Sequence, residues 1–226
     1  MQFFRGLARN NNRDWFLPRK SVFDDEVKRP MYELVDAVNG AMKRFAPQYV
    51  TDPAKAVYRF YRDTRFSKDK TPYKDHIAAS FRRRGIEGGE GGGAGFYFAV
   101  SHKEIGIGGG IYMPMPQTLL AVRGHVAERH QELRKLIRGK AVQRLFGGMH
   151  GEQLTRVPKG FCSDHPAADL LRYKQFLLYV ELPPDAATTP ELYTAIVERF
   201  RAMTPFLEFL NAPLRPVARP SGPRAL

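Results

Sequence analysis

The period of apolar residues changes several times along the chain, and each change marks an element. Met31, Leu34, Val35, Val38, Met42 and Phe45 recur at three- and four-residue steps, which sets them on one face of an amphipathic helix. Pro30 suits its first turn and Pro47 lies beyond its end, since proline has no amide to donate to a helix interior. Upstream, Asn11 or Asn12 is placed to cap a helix carrying Trp15, Phe16, Val22, Phe23 and Val27, with Pro18 near its start or at a kink. From Ala56 to Phe66 the β-branched and aromatic content rises and predicts a strand, followed by a loop from Ser67 to Tyr73. Regular alternation there would put Val57, Arg59, Tyr61, Asp63 and Arg65 on one face and Tyr58, Phe60, Arg62, Thr64 and Phe66 on the other.

Further on, His76 to Arg82 reads as a returning strand, and the stretch Arg84 to Gly95, which contains seven glycines, reads as a flexible connection. GFYFAVS and IGIGGGIYM then form a predicted hairpin around His102 to Glu104. Pro116 opens a long helix through Leu119, Val122, Val126, Leu133, Leu136 and Ile137, against which Gly124 counts slightly. Gly147 to His165 is irregular, and Phe176 to Leu182 is a compact apolar strand. Thr188 to Glu191 matches a capping box ahead of a helix with Leu192, Ile196, Val197, Phe200, Phe206 and Leu210. Short strands with helices at both ends of the chain predict an α+β fold, an antiparallel or mixed sheet packed with those helices. A chain of 226 residues is one domain by default. Its expected extent is residues 1–212, with a disordered basic tail over residues 213–226.

Composition narrows the setting. No apolar run reaches the roughly 18 residues that cross a bilayer, and MQFFRGLARNNNRDW lacks a signal-peptide apolar region. A cytoplasmic, non-membrane protein is therefore expected. One cysteine, Cys162, makes no internal disulfide and no cysteine-rich zinc site. His125 and His130 are five residues apart, about 140 degrees around a helix, so they do not form the four-residue metal pair. No metal site and no cofactor are assigned. GEGGGA, from Gly89 to Ala94, fits the dinucleotide fingerprint in letters, but the following residues read as a strand where a helix is required. GIGGG, from Gly106 to Gly110, reads as a bulge or a close backbone approach. Trp15 reads as core beside Arg13, and His165 as a local turn or cap.

The formal charge is +13, and from Arg59 to Arg84 nine Lys or Arg stand against three Asp. Such a surplus attracts polyanions and phosphorylated ligands. The segment RFYRDTRFSKDKTPYKDH concentrates it, and here the chain resembles a bacterial family catalogued as domain-of-unknown-function family 2461, through Arg59, Arg62, Asp63, Arg65, Phe66, Asp69, Lys70 and Tyr73. NNNRDWF, GFYF, GGGIYMP and GFCSDHP are similar to further segments of that family, extending the resemblance from about Phe3 to Leu210. Cys162 stands where that family usually carries an acid, which argues against thiol chemistry. The resemblance supports the fold reading and implies no activity.

Guanidinium forks suit phosphate and carboxylate. Arg59, Arg62, Arg65, Lys68, Lys70 and Lys74 are thus candidates for holding an anionic small molecule or nucleic acid. On a regular strand Arg59 and Arg62 point apart, so they converge only where the strand twists, bulges or ends. Two other readings stand beside this one. An enzyme on a phosphate-containing substrate would use Asp63 or Asp69 as a base or metal ligand and Tyr73 or His76 for proton transfer. A scaffold or interaction protein would pair the cations internally with Asp63 and Asp69. Tyr58, Phe60, Tyr61 and Phe66 interleave with arginines as in proteins that stack single-stranded bases, and equally suit a buried strand.

Overall fold

The computed structural model describes residues 1–86 and 91–214. Residues 87–90 of the predicted connection and 215–226 of the predicted tail lie outside the described residues.

The amino-terminal third is helical but repeatedly interrupted. α1 (Gln2–Arg9) is followed by α2 (Arg13–Phe16), whose first turn is capped by Asn12 accepting the Trp15 amide at 2.9 Å. Pro18 turns the chain into a short 3₁₀ segment, Leu17–Arg19, before α3 (Lys20–Phe23). A π-type turn, Asp24–Lys28, then leads directly into α4 (Arg29–Met42). The predicted break at Pro30 is thus a widened turn inside a continuing helical path. Pro30 has no amide for the carbonyl one turn back, and loosening that turn is the standard way a helix absorbs the loss. Met31, Val35, Val38 and Met42 are buried as the periodicity requires, whereas Val22 is exposed.

The expected strand from Ala56 to Phe66 is not formed. Asp52 caps a one-turn helix, α5 (Pro53–Ala56), by accepting the Ala54 amide at 2.9 Å. Val57 then touches the sheet through a single bridge to Ala79. The chain turns back on itself, with Tyr61 bridged to Tyr73, Arg62 N donating to Pro72 O at 2.9 Å and Lys74 N to Phe60 O at 3.0 Å. The segment is therefore a hairpin standing off the sheet edge. Its base carries Phe60 and Tyr73, and its tip lies near Phe66.

The sheet is an antiparallel meander of β1 (His76–Arg82), β2 (Gly95–Ser101), β3 (Ile105–Ile111) and β4 (Phe176–Leu182), in that order. All four strands lie where alternation and apolar runs predict them. Between β3 and β4 the chain makes α6 (Pro116–Ile137), α7 (Lys140–Phe146), an irregular stretch and α8 (Ala168–Leu171). The last helix, α9 (Glu191–Asn211), covers one sheet face. There Phe200 packs on Phe96 at 4.5 Å between ring centroids and on Phe81 at 5.7 Å. The predicted capping box at α9 does not form. Thr188 Oγ1 instead donates to the Asp185 carbonyl at 3.3 Å within a preceding 3₁₀ turn.

The glycines of β3 serve close approach, as their sequence suggests. Tyr179 of β4 lies against Gly106 and Gly108, and a Cβ on Gly108 would sit 2.7 Å from both its ring and the Leu178 carbonyl oxygen. A buried polar network adds specificity that the sequence did not disclose. Asn211 accepts the Ala94 amide at 2.8 Å and donates to its carbonyl at 2.9 Å and to Tyr49 Oη at 2.9 Å. Tyr49, Gln48 and Arg83 in turn donate to Glu208, fixing the end of α9 against the turn after α4 and the chain leaving β1. No helix among the described residues is long and apolar enough to cross a membrane.

Candidate functional site

Phe60 decides how the basic hairpin is held. It is buried and stacks on Phe23 at 4.3 Å, with Phe16 at 5.5 Å, Tyr73 at 5.4 Å, Phe3 at 6.3 Å and Phe4 at 6.4 Å. Tyr73 completes the cluster, 4.3 Å from Phe16. Burial pushes its phenol above the usual tyrosine range. The side-chain amide of Asn11 then locks the base, accepting the Tyr73 amide at 3.1 Å and donating to its carbonyl at 2.9 Å, as a neighbouring strand would.

Above this anchor the charged residues order the loop. Arg62 donates from one terminal nitrogen to both the Asp69 carboxylate and the Thr71 hydroxyl. Asp69 also accepts the Thr71 amide at 2.9 Å. That amide and the Arg62 guanidinium hold the Asp69 carboxyl down to about 2. Asp63 is held low chiefly by Arg65, which donates from Nε at 3.0 Å, from Nη2 at 2.8 Å and from its backbone amide at 3.2 Å. Lys70 Nζ ties across to the Thr64 carbonyl at 2.9 Å. Much of the charge pattern is thus the hairpin's own bracing.

These bonds give a pH expectation with a definite sign. A carboxyl whose folded value is depressed adds stability that is complete above its unfolded value, about 3.9, and that is lost as pH falls through the folded one. The Asp69 brace therefore stays intact at pH 4 and loosens between about pH 4 and 2. In an NMR titration the Thr71 amide shift should turn near pH 2; a midpoint near 4 contradicts the bracing.

At the foot of the hairpin lies a cavity of about 430 Å³, lined by Asn11, Arg62, Asp69, Thr71, Tyr73, Lys74, Asp75, His76 and Lys103, with Ala8. Three parts of the fold meet there: the end of α1, the hairpin base running into β1, and the β2–β3 turn that supplies Lys103. Ser101 shapes this turn, its hydroxyl accepting the amides of Lys103 at 3.1 Å and Glu104 at 3.0 Å. His76 Nδ1 is 2.9 Å from Asp75 Oδ1, and Lys103 Nζ is 3.7 Å from Asp75 Oδ2. Burial would raise the Asp75 carboxyl, but the His76 hydrogen bond and the charges of His76 and Lys103 outweigh it and hold it low. An ionised carboxylate only accepts, so Nδ1 is the nitrogen that donates to Asp75.

Of the residues singled out in the sequence, Arg62, Asp69, Tyr73, Lys74 and His76 line this cavity. Arg59, Asp63, Arg65, Lys68 and Lys70 are not among its lining residues; the last four belong to the outer part of the hairpin, and Arg59, at the base, reaches Asp63 at 3.8 Å. Sequence reasoning missed Asp75, Thr71 and Lys103, and it read Asn11 only as a helix cap. Adjacency to His76 was the available signal for Asp75; nothing local marked Lys103. His165 serves a turn, accepting the Ala167 amide on Nδ1 at 3.0 Å. Among the described residues no three His, Cys, Asp or Glu side chains gather as a metal ion would require.

A second polar recess, of about 240 Å³, is lined by Arg134, Arg138, Arg172 and Asp169 among others. Arg134 forks onto Asp169 at 3.0 and 2.6 Å. Arg134 and Arg138 stand at the C-terminal end of α6, where cations offset the negative end of the helix dipole. Their placement follows from the helix itself.

Fold and site together define an α+β protein, a four-stranded antiparallel meander flanked by helices, with a braced basic hairpin beside a polar cavity. The chain matches the family described as conserved hypothetical protein (DUF2461) over residues 1–209, and it belongs to that family. Neither the curated proteins nor the solved structures contain a match to it.

Proposed function

We propose that this protein binds a small anionic, phosphate-bearing ligand in the cavity at the foot of the hairpin. One observation carries the reading: Arg62 and Lys74, from the two arms of the hairpin, and Lys103, from the β2–β3 turn, line a single recess together with His76. Guanidinium and ammonium groups around a partly enclosed space are worth more than on open surface, because less water screens them. Asp69 is already satisfied by Arg62 and Thr71, and Asp75 by His76 and Lys103. The three cations outnumber the two acids.

Calorimetric titration at low salt with inorganic phosphate, pyrophosphate and adenosine monophosphate tests this. Lys103→Ala removes one charge-assisted contact from an exposed turn, and binding should weaken about tenfold or more. Affinity for all three ligands unchanged by Lys103→Ala contradicts the reading, as does the absence of any binding.

A second reading, an enzyme on a phosphate-containing substrate, rests on the Asp75–His76 pair. Asp75 orients the imidazole and leaves Nε2 to accept or donate a proton within the same cavity. Asp63 and Asp69, held ionised well below neutral pH, are weak proton acceptors, so the acid–base role falls to His76. Under this reading, phosphate release from small phosphomonoesters disappears in His76→Gln while ligand affinity stays within about threefold.

A further inference from the structure

Phe66 is 96% exposed, at the tip of the hairpin. Exposed phenylalanines are unexceptional on loose loops, but this one is presented by a braced structure. Asp63 grips Arg65, Asp69 grips Arg62 and the Thr71 amide, and Lys70 reaches back to Thr64. The ring therefore stands in water while the loop that could fold it inward is tied down.

Its surroundings are predominantly cationic. Arg59 and Arg65 are 70% and 77% exposed, and Lys68 and Lys70 lie in the same turn. Asp63 pairs with Arg65 and faces Arg59 at 3.8 Å, and Asp69 is taken by Arg62, so with Lys68 and Lys70 the cations around the tip outnumber its acids. The Arg65 guanidinium lies 5.8 Å from the Phe66 ring centroid, so charge and ring are offered together. Tyr61, on the same hairpin, is 52% exposed. The interleaving of aromatic and basic residues thus divides in three dimensions: Phe60 is consumed by the core, and Phe66 and Tyr61 are left to solvent.

We propose that the hairpin tip binds single-stranded nucleic acid, with an unpaired base stacking on Phe66 and flanking phosphates held by Arg59, Arg65 and Lys68. A flat aromatic face accepts any base, and cations spaced around it track a backbone that bears one charge per nucleotide. Duplex is a poorer occupant, because its bases already stack on both faces and would first have to be opened. The +13 charge of the chain adds a long-range attraction in the same direction. This surface is separate from the phosphate cavity: Phe66, Arg59, Arg65 and Lys68 do not line it.

Fluorescence anisotropy with a labelled 12-residue oligothymidylate, read over a salt series, tests the proposal. Wild type binds at low salt, and Phe66→Ala weakens binding about tenfold with the salt slope unchanged, because a stacking contact is lost and no phosphate contact with it. Phe66→Trp retains affinity, whereas Phe66→Leu behaves like the alanine variant. Lys68→Gln lowers the slope by roughly one phosphate contact. Equal affinity of Phe66→Ala and wild type overturns the proposal, as does equal affinity of Phe66→Leu, which would show a merely apolar contact. Binding to phosphatidylserine vesicles without binding to the oligonucleotide also overturns it, in favour of a lipid surface. Loss of oligonucleotide binding in Phe66→Ala with undiminished pyrophosphate binding separates this site from the cavity.

Discussion

Replacing Gly110 by alanine should destabilise the fold by about 4 kcal/mol or more, lowering the melting temperature by roughly 10 °C in a chain of this size. Gly110 has φ +136, a conformation open to glycine and strained for residues with a side chain. An added methyl would also overlap the Phe176 carbonyl oxygen and come to 3.0 Å from Leu177 Cα. Relief by movement is closed off, because β3 lies between β2 and β4 and Gly110 pairs with Gly95 on one side and Leu177 on the other. Gly124, in the middle of α6, is the control: nothing lies within 4 Å of its added Cβ. Gly124→Ala should stabilise by about 0.5–1 kcal/mol, since alanine is the better helix former. Thermal unfolding of the two variants checks both signs.

Phe60→Ala should cost about 3–5 kcal/mol and take the candidate site with it. Phe60 touches six aromatic rings, drawn from α1, α2, α3 and the hairpin itself, and it is 6% exposed. Truncation leaves a large void at the point where the hairpin is anchored, and the Arg62 and Tyr73 walls of the cavity hang from that anchor. Phe66→Ala, six residues on in the same motif, should change stability by no more than about 0.5 kcal/mol. Denaturant unfolding of the two variants therefore separates the structural from the surface aromatic. Equal destabilisation would mean that the hairpin tip packs elsewhere in solution.

The four strands and the long helices were legible because local pattern determines them: Phe96 and Phe98 alternate across β2, and Leu119 to Ile137 repeat at helical spacing in α6. The strand expected from Ala56 to Phe66 is instead a one-turn helix and the first arm of the hairpin, for an identifiable reason. The hairpin's Asp and Lys side chains bond neighbouring backbone, as in Asp63 to the Arg65 amide, Asp69 to the Thr71 amide and Lys70 to the Thr64 carbonyl. Such bonds compete with a ladder and bend the chain, while β-branched and aromatic content registers only propensity. The cavity was half legible. Arg62, Asp69, Tyr73, Lys74 and His76 lie in one run of sequence, but Asn11 and Lys103 arrive through tertiary structure that no local pattern encodes. The network of Asn211, Tyr49 and Glu208 was invisible for the same reason, its partners being more than 150 residues apart.

Chemical-shift mapping with pyrophosphate on uniformly nitrogen-15-labelled protein tests the cavity most directly. Saturable shifts should appear at the amides of Asn11, Thr71, Lys74, His76 and Lys103 and should shrink in Lys103→Ala. Shifts confined to Arg134, Arg138 and Arg172, or no saturable shifts at all, would contradict a phosphate site at the foot of the hairpin.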